Sequence, residues 1–234
     1  MARPEACLVD VYDTLLSCDF TALRTELPRL AGVSEEAWDE GYGQVAAALG
    51  VGQLTKAEGF GQILAGCGVP VQPGLVRALV ERDRDVLVAS ARLYDDAIPF
   101  LEALRSDGIK IAIVSNCAEH TRDVLDHLGV AVLADTLILS CEVGAAKPAP
   151  EIFRHALDRL GVAAASALFV DDQASYCAGG AALGIGTVQI VRGQLDGNVP
   201  AAGTTVVRSL SEVETLLTAS AAARRLRTAS RRTW

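Results

Sequence analysis

Residues 6–16 read ACLVDVYDTLL, an unbroken apolar run that ends at Asp10 and is followed by Asp13 and Thr14. A short run that is apolar on both faces is typical of a strand buried inside a sheet. The acids and the threonine after it indicate a turn. We therefore predict a buried first strand that carries the Asp10 carboxylate at its end, and we expect this carboxylate to be the reactive group.

Four further apolar runs follow in the second half of the chain, separated by helical patterns. They are IKIAIVSN (109–116), DTLILS (135–140), SALFVDD (166–172) and GTVQIV (186–191). Strands that alternate with helices predict an α/β fold with a Rossmann-like parallel sheet covered on both faces. Right-handed crossovers place the carboxyl ends of such strands along one edge, where open α/β sheets bind ligands.

The segment between the first strand and residue 93 has a different pattern, with four helical stretches and no convincing strand. These are TALRTELPRLAG (21–32), SEEAWDEGYGQVAAAL (34–49), TKAEGFGQILAGCG (55–68) and GLVRALVERDRDVLVASAR (74–92). We predict an all-helical cap over 16–92, a core formed by 1–15 and 93–218, and a basic tail over 219–234. Insertions of this kind commonly act as lids that exclude water from a site.

Composition and charge limit the kinds of partner that the protein is expected to bind. The chain has 234 residues and a net charge of −8, which argues against broad nucleic-acid binding. No apolar run is long enough to cross a bilayer, and the N-terminus lacks the order of a secretion signal. The expected partner is a small molecule rather than a nucleic acid or a membrane, and the expected state is a monomer or a homodimer.

Two further features of the composition are the six cysteines and the basic C-terminus. The cysteines are scattered without a CxxC or a zinc spacing, which is typical of small buried side chains in a reducing cytoplasm. The tail SAAARRLRTASRRTW (220–234) carries five arginines and no acid. A solvated terminus is the favoured interpretation, with a phosphate- or membrane-binding segment as the alternative.

Polar residues follow four of the predicted strands. The four stretches are Asp10 to Thr14, Ser115-Asn116, Lys147-Pro148 and Asp171-Asp172. In this order and at these places they resemble the four motifs of the haloacid dehalogenase (HAD) superfamily, and the resemblance extends to about Arg192. The stretch LILSCEVGAAKPAPEIFRHALDRLGV (137–162) is similar to the branch with a helical cap after the first motif. That branch includes phosphatases, sugar-phosphate mutases and 2-haloacid dehalogenases.

The residues suit covalent catalysis, and the resemblance assigns them roles. A carboxylate at a strand end can act as a nucleophile through an ester or acyl-phosphate intermediate, and Asp10 holds that position. Thr14 and Ser115 offer hydroxyls and Asn116 an amide, so we expect Ser115 and Asn116 to bind the substrate. Lys147 supplies a positive charge that can keep Asp10 ionised.

The resemblance also implies a magnesium site. Asp171 and Asp172 can hold Mg²⁺ together with Asp10 and a backbone carbonyl, that of Tyr12. Asp172 matches the superfamily's main metal ligand, and Asp171 is expected to be auxiliary. The expected substrate is a small phosphorylated metabolite.

Tyr12 departs from the phosphatase pattern, because phosphatases of the superfamily carry an aspartate there as general acid and base. A tyrosine can donate a proton at neutral pH but is a poor base. Asp13 is the nearby acid, yet adjacent residues of an extended strand face opposite sides. Which of the two replaces the usual aspartate stays open at this point.

Tyr12 also leaves two alternatives to a phosphatase open. 2-Haloacid dehalogenases carry a tyrosine at this place, but Asp171-Asp172, Tyr176, Phe153 and the lack of an arginine near Gly41 disagree with that assignment. A catalytically silent, regulatory protein of the same fold is the third hypothesis. The favoured expectation is a Mg²⁺-dependent phosphatase.

Overall fold

The computed structural model describes residues 3–193, 198–200 and 203–218. The strands are β1 (Ala6–Val9), β2 (Leu16–Ser17), β3 (Arg92–Leu93), β4 (Lys110–Ser115), β5 (Thr136–Leu139), β6 (Ala167–Asp171), β7 (Gly186–Ile190) and β8 (Thr205–Val207). The helices are α1 (Phe20–Ala31), α2 (Glu35–Gly50), α3 (Lys56–Gly66), α4 (Pro73–Ser90), α5 (Ala97–Ser106), α6 (Thr121–His127), α7 (Ser140–Val143), α8 (Pro150–Leu160), α9 (Ala174–Ala182) and α10 (210–218).

Six strands form one parallel sheet in the order β5-β4-β1-β6-β7-β8. β1 lies in the middle, where Val9 is level with Ile113 of β4 and Val170 of β6. This register brings the residues that follow β1, β4 and β6 to the same edge. The predicted α/β fold with a Rossmann-like parallel sheet is confirmed.

Both faces of the sheet are covered, as an unbroken apolar strand requires. Along β1, Cys7 and Val9 belong to one hydrophobic cluster, whereas Ala6 and Leu8 belong to the cluster on the opposite face. α5, α6 and α10 contribute to the first cluster, and α8 contributes to the second. Because successive side chains of β1 face opposite clusters and both clusters are buried, all four residues of the strand are hydrophobic.

Helices α1 to α4 lie between β2 and β3 and pack around a third hydrophobic cluster. Three of the four helices begin with side-chain caps: Asp19 and Ser34 accept hydrogen bonds from the first turns of α1 and α2, and Thr55 and Glu58 form a capping box on α3. Helix α4 begins instead with Pro73 in its first turn. The four predicted helices are confirmed. The division into cap and core domains stays a prediction.

Some local predictions were wrong. β2 and β3 form a two-residue antiparallel ribbon at the junctions of the helical insertion, where no strand was expected. β8 was also missed, because three residues are too short for an alternation to be recognised. Helix α6 begins only at Thr121, because His120 before it has a left-handed backbone with φ of +78°.

Two expectations concern the rest of the chain. The basic tail over 219–234 lies outside the described residues. In the part of the chain that is described, none of the helices combines the length and apolar character needed to cross a bilayer.

Candidate active site

Asp10 follows β1 directly and is held against β6 by its own N–H, which donates to the carbonyl of Val170 at 3.0 Å. The chain then makes a tight loop in which the N–H groups of Leu15 and Leu16 both donate to the carbonyl of Val11. Asp13 adopts φ of +57°, a left-handed conformation that aspartate tolerates better than most residues. The loop therefore re-aims the side chains after Asp10 instead of continuing the strand.

Lys147 lies at the centre of the site with only 3% of its surface exposed. Its Nζ donates to Asp10 Oδ1 at 2.5 Å, to Asp171 Oδ2 at 2.7 Å and to the carbonyl of Val114 at 3.0 Å. An ammonium group has three hydrogens, so all of its donors are used. Three strands thus share one buried positive charge.

Asn116 fixes the backbone of Lys147. Its Nδ2 donates to the Lys147 carbonyl at 2.8 Å, and its Oδ1 accepts from the Lys147 N–H at 2.7 Å. These two bonds tie the end of β4 to the loop that carries Lys147. The amide predicted to bind substrate therefore has a positioning role in this structure, with one N–H left for a ligand.

The charges of the cluster shift one another's pKa. Burial alone would lower the pKa of Lys147, but the charges of Asp10 and Asp171 raise it above its usual range. Burial, with the charge of Asp10 as a second cause, raises the pKa of Asp171. The same two causes raise the pKa of Asp172 to about 6. Such perturbation inside one cluster is typical of a working site.

A cation has a suitable place beside this cluster. Carboxylate oxygens of Asp10, Asp171 and Asp172 lie within 4.8 Å of one another. Both oxygens of Asp171 are already used, by Lys147 Nζ and by the N–H of Gln173, whereas Asp172 Oδ1 accepts no hydrogen bond within the described ranges. The main-chain oxygen of Tyr12 is also free of hydrogen bonds to the described residues. Oxygen donors of this kind fit Mg²⁺.

Two buried hydroxyls have no partner. Thr14 Oγ1 and Ser115 Oγ are inaccessible to solvent and form no hydrogen bond with any described residue. An unsatisfied buried hydroxyl costs free energy, so such groups call for an explanation. A bound oxyanion would supply acceptors for both.

Tyr12 points toward the helical insertion. Its hydroxyl is 3.0 Å from Thr121 Oγ1, and its ring packs edge-on against Phe20 with 5.2 Å between centroids. Burial raises its pKa above the ordinary range, so the hydroxyl stays protonated. Asp13 remains exposed, and partial burial followed by the charge of Asp10 raises the pKa of its carboxyl group.

Arg192, at the end of β7, is a site residue that sequence reasoning missed. Its guanidinium bonds both oxygens of Asp96, at 2.8 and 2.9 Å, and donates to the carbonyl of Thr14 from Nη2 at 2.6 Å and from Nε at 3.2 Å. It also stacks 3.9 Å above the ring of Tyr94. Arg192 thereby holds the loop that carries Thr14. A single arginine after an apolar strand belongs to no sequence motif, so its contact with the Thr14 loop could not be predicted from the sequence.

A cavity of about 220 Å³ adjoins the site, and we call it the site cavity. Core residues Tyr12, Asn116 and Thr121 line one part, and Phe20 and Lys56 of the helical insertion line another. The insertion and the core therefore enclose one space beside Tyr12 and Asn116.

Two of the positions that disagree with a dehalogenase, Tyr176 and Phe153, pack close to the site. The Tyr176 ring lies 5.1 Å from Lys147 Nζ, and Phe153 packs edge-on against Phe169 with 5.1 Å between centroids. The Tyr176 and Phe169 rings thus lie beside the buried charge of Lys147, and Phe153 supports the Phe169 ring from behind.

Comparison with known proteins gives consistent matches. Over 129 residues the chain is 36% identical to a glyceraldehyde 3-phosphate phosphatase of Methanopyrus kandleri, an alignment that covers 54% of this chain and about half, 55%, of that protein. It is 28% identical over 217 residues to a phosphatase of Mycobacterium tuberculosis, covering 91% of this chain and 96% of the relative. A crystal structure of a dehalogenase with an intermediate complex superposes with a TM-score of 0.63 at 26% identity, over 92% of this chain and 98% of the other.

The family model described as haloacid dehalogenase-like hydrolase matches residues 4–184, which span all four motifs. This match covers well over half of the chain and agrees with the resemblance noted in the sequence. The chain therefore belongs to the haloacid dehalogenase-like hydrolase family.

Proposed function

We propose that this hydrolase is a Mg²⁺-dependent phosphomonoesterase that works through an aspartyl phosphate on Asp10. The observation that carries the proposal is the contact of Lys147 with both Asp10 and Asp171 beside the two unpartnered hydroxyls of Thr14 and Ser115. Relatives that are named phosphatases support it. The anion that would satisfy those hydroxyls is the phosphoryl group.

The first step forms a bond between an Asp10 carboxylate oxygen and phosphorus while the bond to the leaving oxygen breaks. Lys147 holds the Asp10 carboxylate in place, and the hydroxyls of Thr14 and Ser115 donate to the phosphoryl oxygens. When bound by Asp10, Asp172 and the Tyr12 carbonyl, Mg²⁺ would neutralise charge on the phosphoryl group. In the second step, water cleaves the acyl phosphate and regenerates the carboxylate.

Tyr12 and Asp13 divide the proton chemistry that the usual aspartate performs alone. The protonated hydroxyl of Tyr12 can donate to a leaving oxygen, and the phenolate that remains regains a proton from solvent before the next turnover. While it is protonated, Tyr12 does not accept a proton from the attacking water. Asp13 is the remaining candidate base, because its raised pKa brings it closer to the range of a useful proton acceptor. Asp13→Asn should therefore slow hydrolysis of the acyl phosphate more than its formation.

The helical insertion over 16–92 is proposed to act as a cap that selects the substrate. The site cavity supports this, because residues of the insertion and of the core line it together. A small phosphorylated metabolite, a cytoplasmic location and a monomer or homodimer complete the proposal.

The test is phosphate release from a panel of phosphorylated metabolites, with Mg²⁺ and with chelator. We expect turnover that requires Mg²⁺ and is abolished by Asp10→Asn. Fluoroberyllate should form a stable adduct on Asp10 of the native protein. Equal turnover by the native protein and Asp10→Asn would sink the proposal.

Halide displacement from a 2-haloacid is the second candidate, favoured by Tyr12 and by the dehalogenase structure. It predicts chloride release from 2-chloropropionate that survives chelator. The acid cluster opposes it, since a displacement that needs no metal leaves Asp172 without a role. Failure of both assays, together with no fluoroberyllate adduct, would instead indicate a binding protein.

A further inference from the structure

The helical insertion contains a second, larger cavity between α1, α2 and α4, which we call the cap cavity. Its volume is about 370 Å³, within the range of roughly 300–1,000 Å³ of small-molecule sites. Apolar and aromatic groups form most of its wall: Phe20, Leu23, Leu27, Trp38 and Tyr42, with Gly43.

The cap cavity adjoins the site cavity. Both are lined by Phe20, Leu23 and Tyr42, so these three side chains form a wall that the two cavities share. Phe20 is 45% exposed although it is a large apolar residue, so part of its ring is uncovered and can contact a ligand. The shared wall therefore marks the path that a ligand would follow from Tyr12 and Asn116 into the insertion.

The charged groups along this path are paired. Arg24 forms an ion pair with Asp39, and Lys56 Nζ lies 2.8 Å from Asp83 Oδ1. The Glu119 carboxylate accepts the N–H of Lys56 at the start of α3, a favourable place for an anion. Among the described residues, the two cations that line these cavities are each held in an ion pair, buried for Lys56 and exposed for Arg24, so neither is a free counter-charge for a second phosphate or a carboxylate of a substrate.

Resting on the function proposed above, we propose that the substrate's leaving group carries a neutral apolar chain or ring, which lies in the cap cavity while the phosphoryl group is at Asp10. Burial of such a group supplies binding that grows with its apolar surface. An anionic leaving group would face an aromatic wall with no free counter-charge, so the geometry disfavours it.

Gly43 allows a direct test by filling the cavity. It lies in α2 at the exposed edge of the cap cavity, its φ is not left-handed, and a Cβ there would meet no atom within 4 Å. Gly43→Leu should therefore fold and occupy part of the space. Gly74 of α4 is the matched control, because it is an exposed helical glycine with equally open surroundings and lines neither cavity.

The measurement is kcat/KM for ethyl phosphate and hexyl phosphate with Mg²⁺. In the native protein, hexyl phosphate should be preferred by about tenfold or more, since each buried methylene contributes up to about fourfold. Gly43→Leu should reduce that preference by about tenfold, and Gly74→Leu should retain it. Equal kcat/KM for the two esters, or an unchanged preference in Gly43→Leu, would overturn the inference.

A binding readout separates this inference from the proposed function. Calorimetry with ethylphosphonate and hexylphosphonate, which are not hydrolysed, should show tighter binding of the hexyl compound that Gly43→Leu weakens. If neither ester is hydrolysed but this pattern appears, the phosphatase proposal fails and the apolar site stands. If esters are hydrolysed without any preference for the longer chain, the phosphatase stands and the apolar site fails.

Discussion

Replacement of Lys147 by methionine should destabilise the protein and sharply lower turnover. Methionine keeps a similar length but removes the charge that Asp10 and Asp171 share and the donor to the Val114 carbonyl. Asp171 is fully buried and Asp10 nearly so, with 0% and 6% of their surfaces exposed. The substitution therefore leaves two carboxylates in a poorly solvated place without their common partner.

The size of the loss follows from that burial. Breaking a buried ion pair by removing one partner costs about 3–5 kcal/mol. At about 2–4 °C per kcal/mol for a protein of this size, the melting temperature should fall by roughly 6–20 °C. Turnover should fall by about a thousandfold, the upper end for loss of one preorganised charge partner.

The loss should also depend on pH. Without Lys147, burial keeps the folded-state pKa of Asp171 above its unfolded value, so the folded state binds more protons than the unfolded state. Stability then falls as pH rises. We expect a larger difference from the native protein at pH 8 than at pH 5 in urea denaturation measured at both values.

Lys56 provides the matched control. It is equally buried, at 3% exposed, and forms its own ion pair with buried Asp83, but it does not touch Asp10. Lys56→Met should cost a similar free energy of unfolding yet lose far less turnover than Lys147→Met. The reasoning is refuted if Lys147→Met matches the native stability at pH 8, or if the two variants lose the same fraction of turnover.

Three further predictions concern the same site. Ser115→Ala should change the free energy of unfolding by no more than about 0.5 kcal/mol, because the hydroxyl has no partner among the described residues. The same substitution should lower kcat about 10²–10³-fold, and an unchanged kcat would count against an oxyanion contact. Arg192→Lys should cost about 1–3 kcal/mol in urea denaturation and lower kcat, since lysine lacks the fork that bonds Asp96 and the Thr14 carbonyl together. The Mg²⁺ concentration for half-maximal activity should fall as pH rises from 5 to 7, because a proton competes with the ion for Asp172, whose pKa is raised to about 6; a pH-independent requirement would contradict this.

The central strand and its neighbours could be predicted from the sequence because their signal is local. Each apolar run is buried on both faces, so β1, β4, β5, β6 and β7 stand out without knowledge of their partners. Helix α8 is equally clear, with Pro150 in its first turn and Gly161 in a left-handed C-cap.

Elements held by pairing rather than by pattern could not be predicted. The ribbon of β2 and β3 has two residues per strand and exists because Leu16 meets Leu93 across the helical insertion. The direction of Tyr12 likewise depends on a left-handed backbone at Asp13 and on Thr121, which lies 109 residues further along the chain. Neither contact can be inferred from the periodicity of neighbouring residues in the sequence.

By itself the sequence determined the parallel sheet and the strand ends that carry Asp10, Ser115, Lys147 and Asp171, because chain connectivity and apolar runs constrain parallel strands to one common edge. Only the tertiary structure decided that Lys147 bonds two aspartates at once, that Arg192 holds the Thr14 carbonyl, and that helices α1, α2 and α4 leave an apolar space beside the site. These features depend on atoms from distant segments that meet within a few ångströms, and such distances are set by packing rather than by the order of residues along the chain.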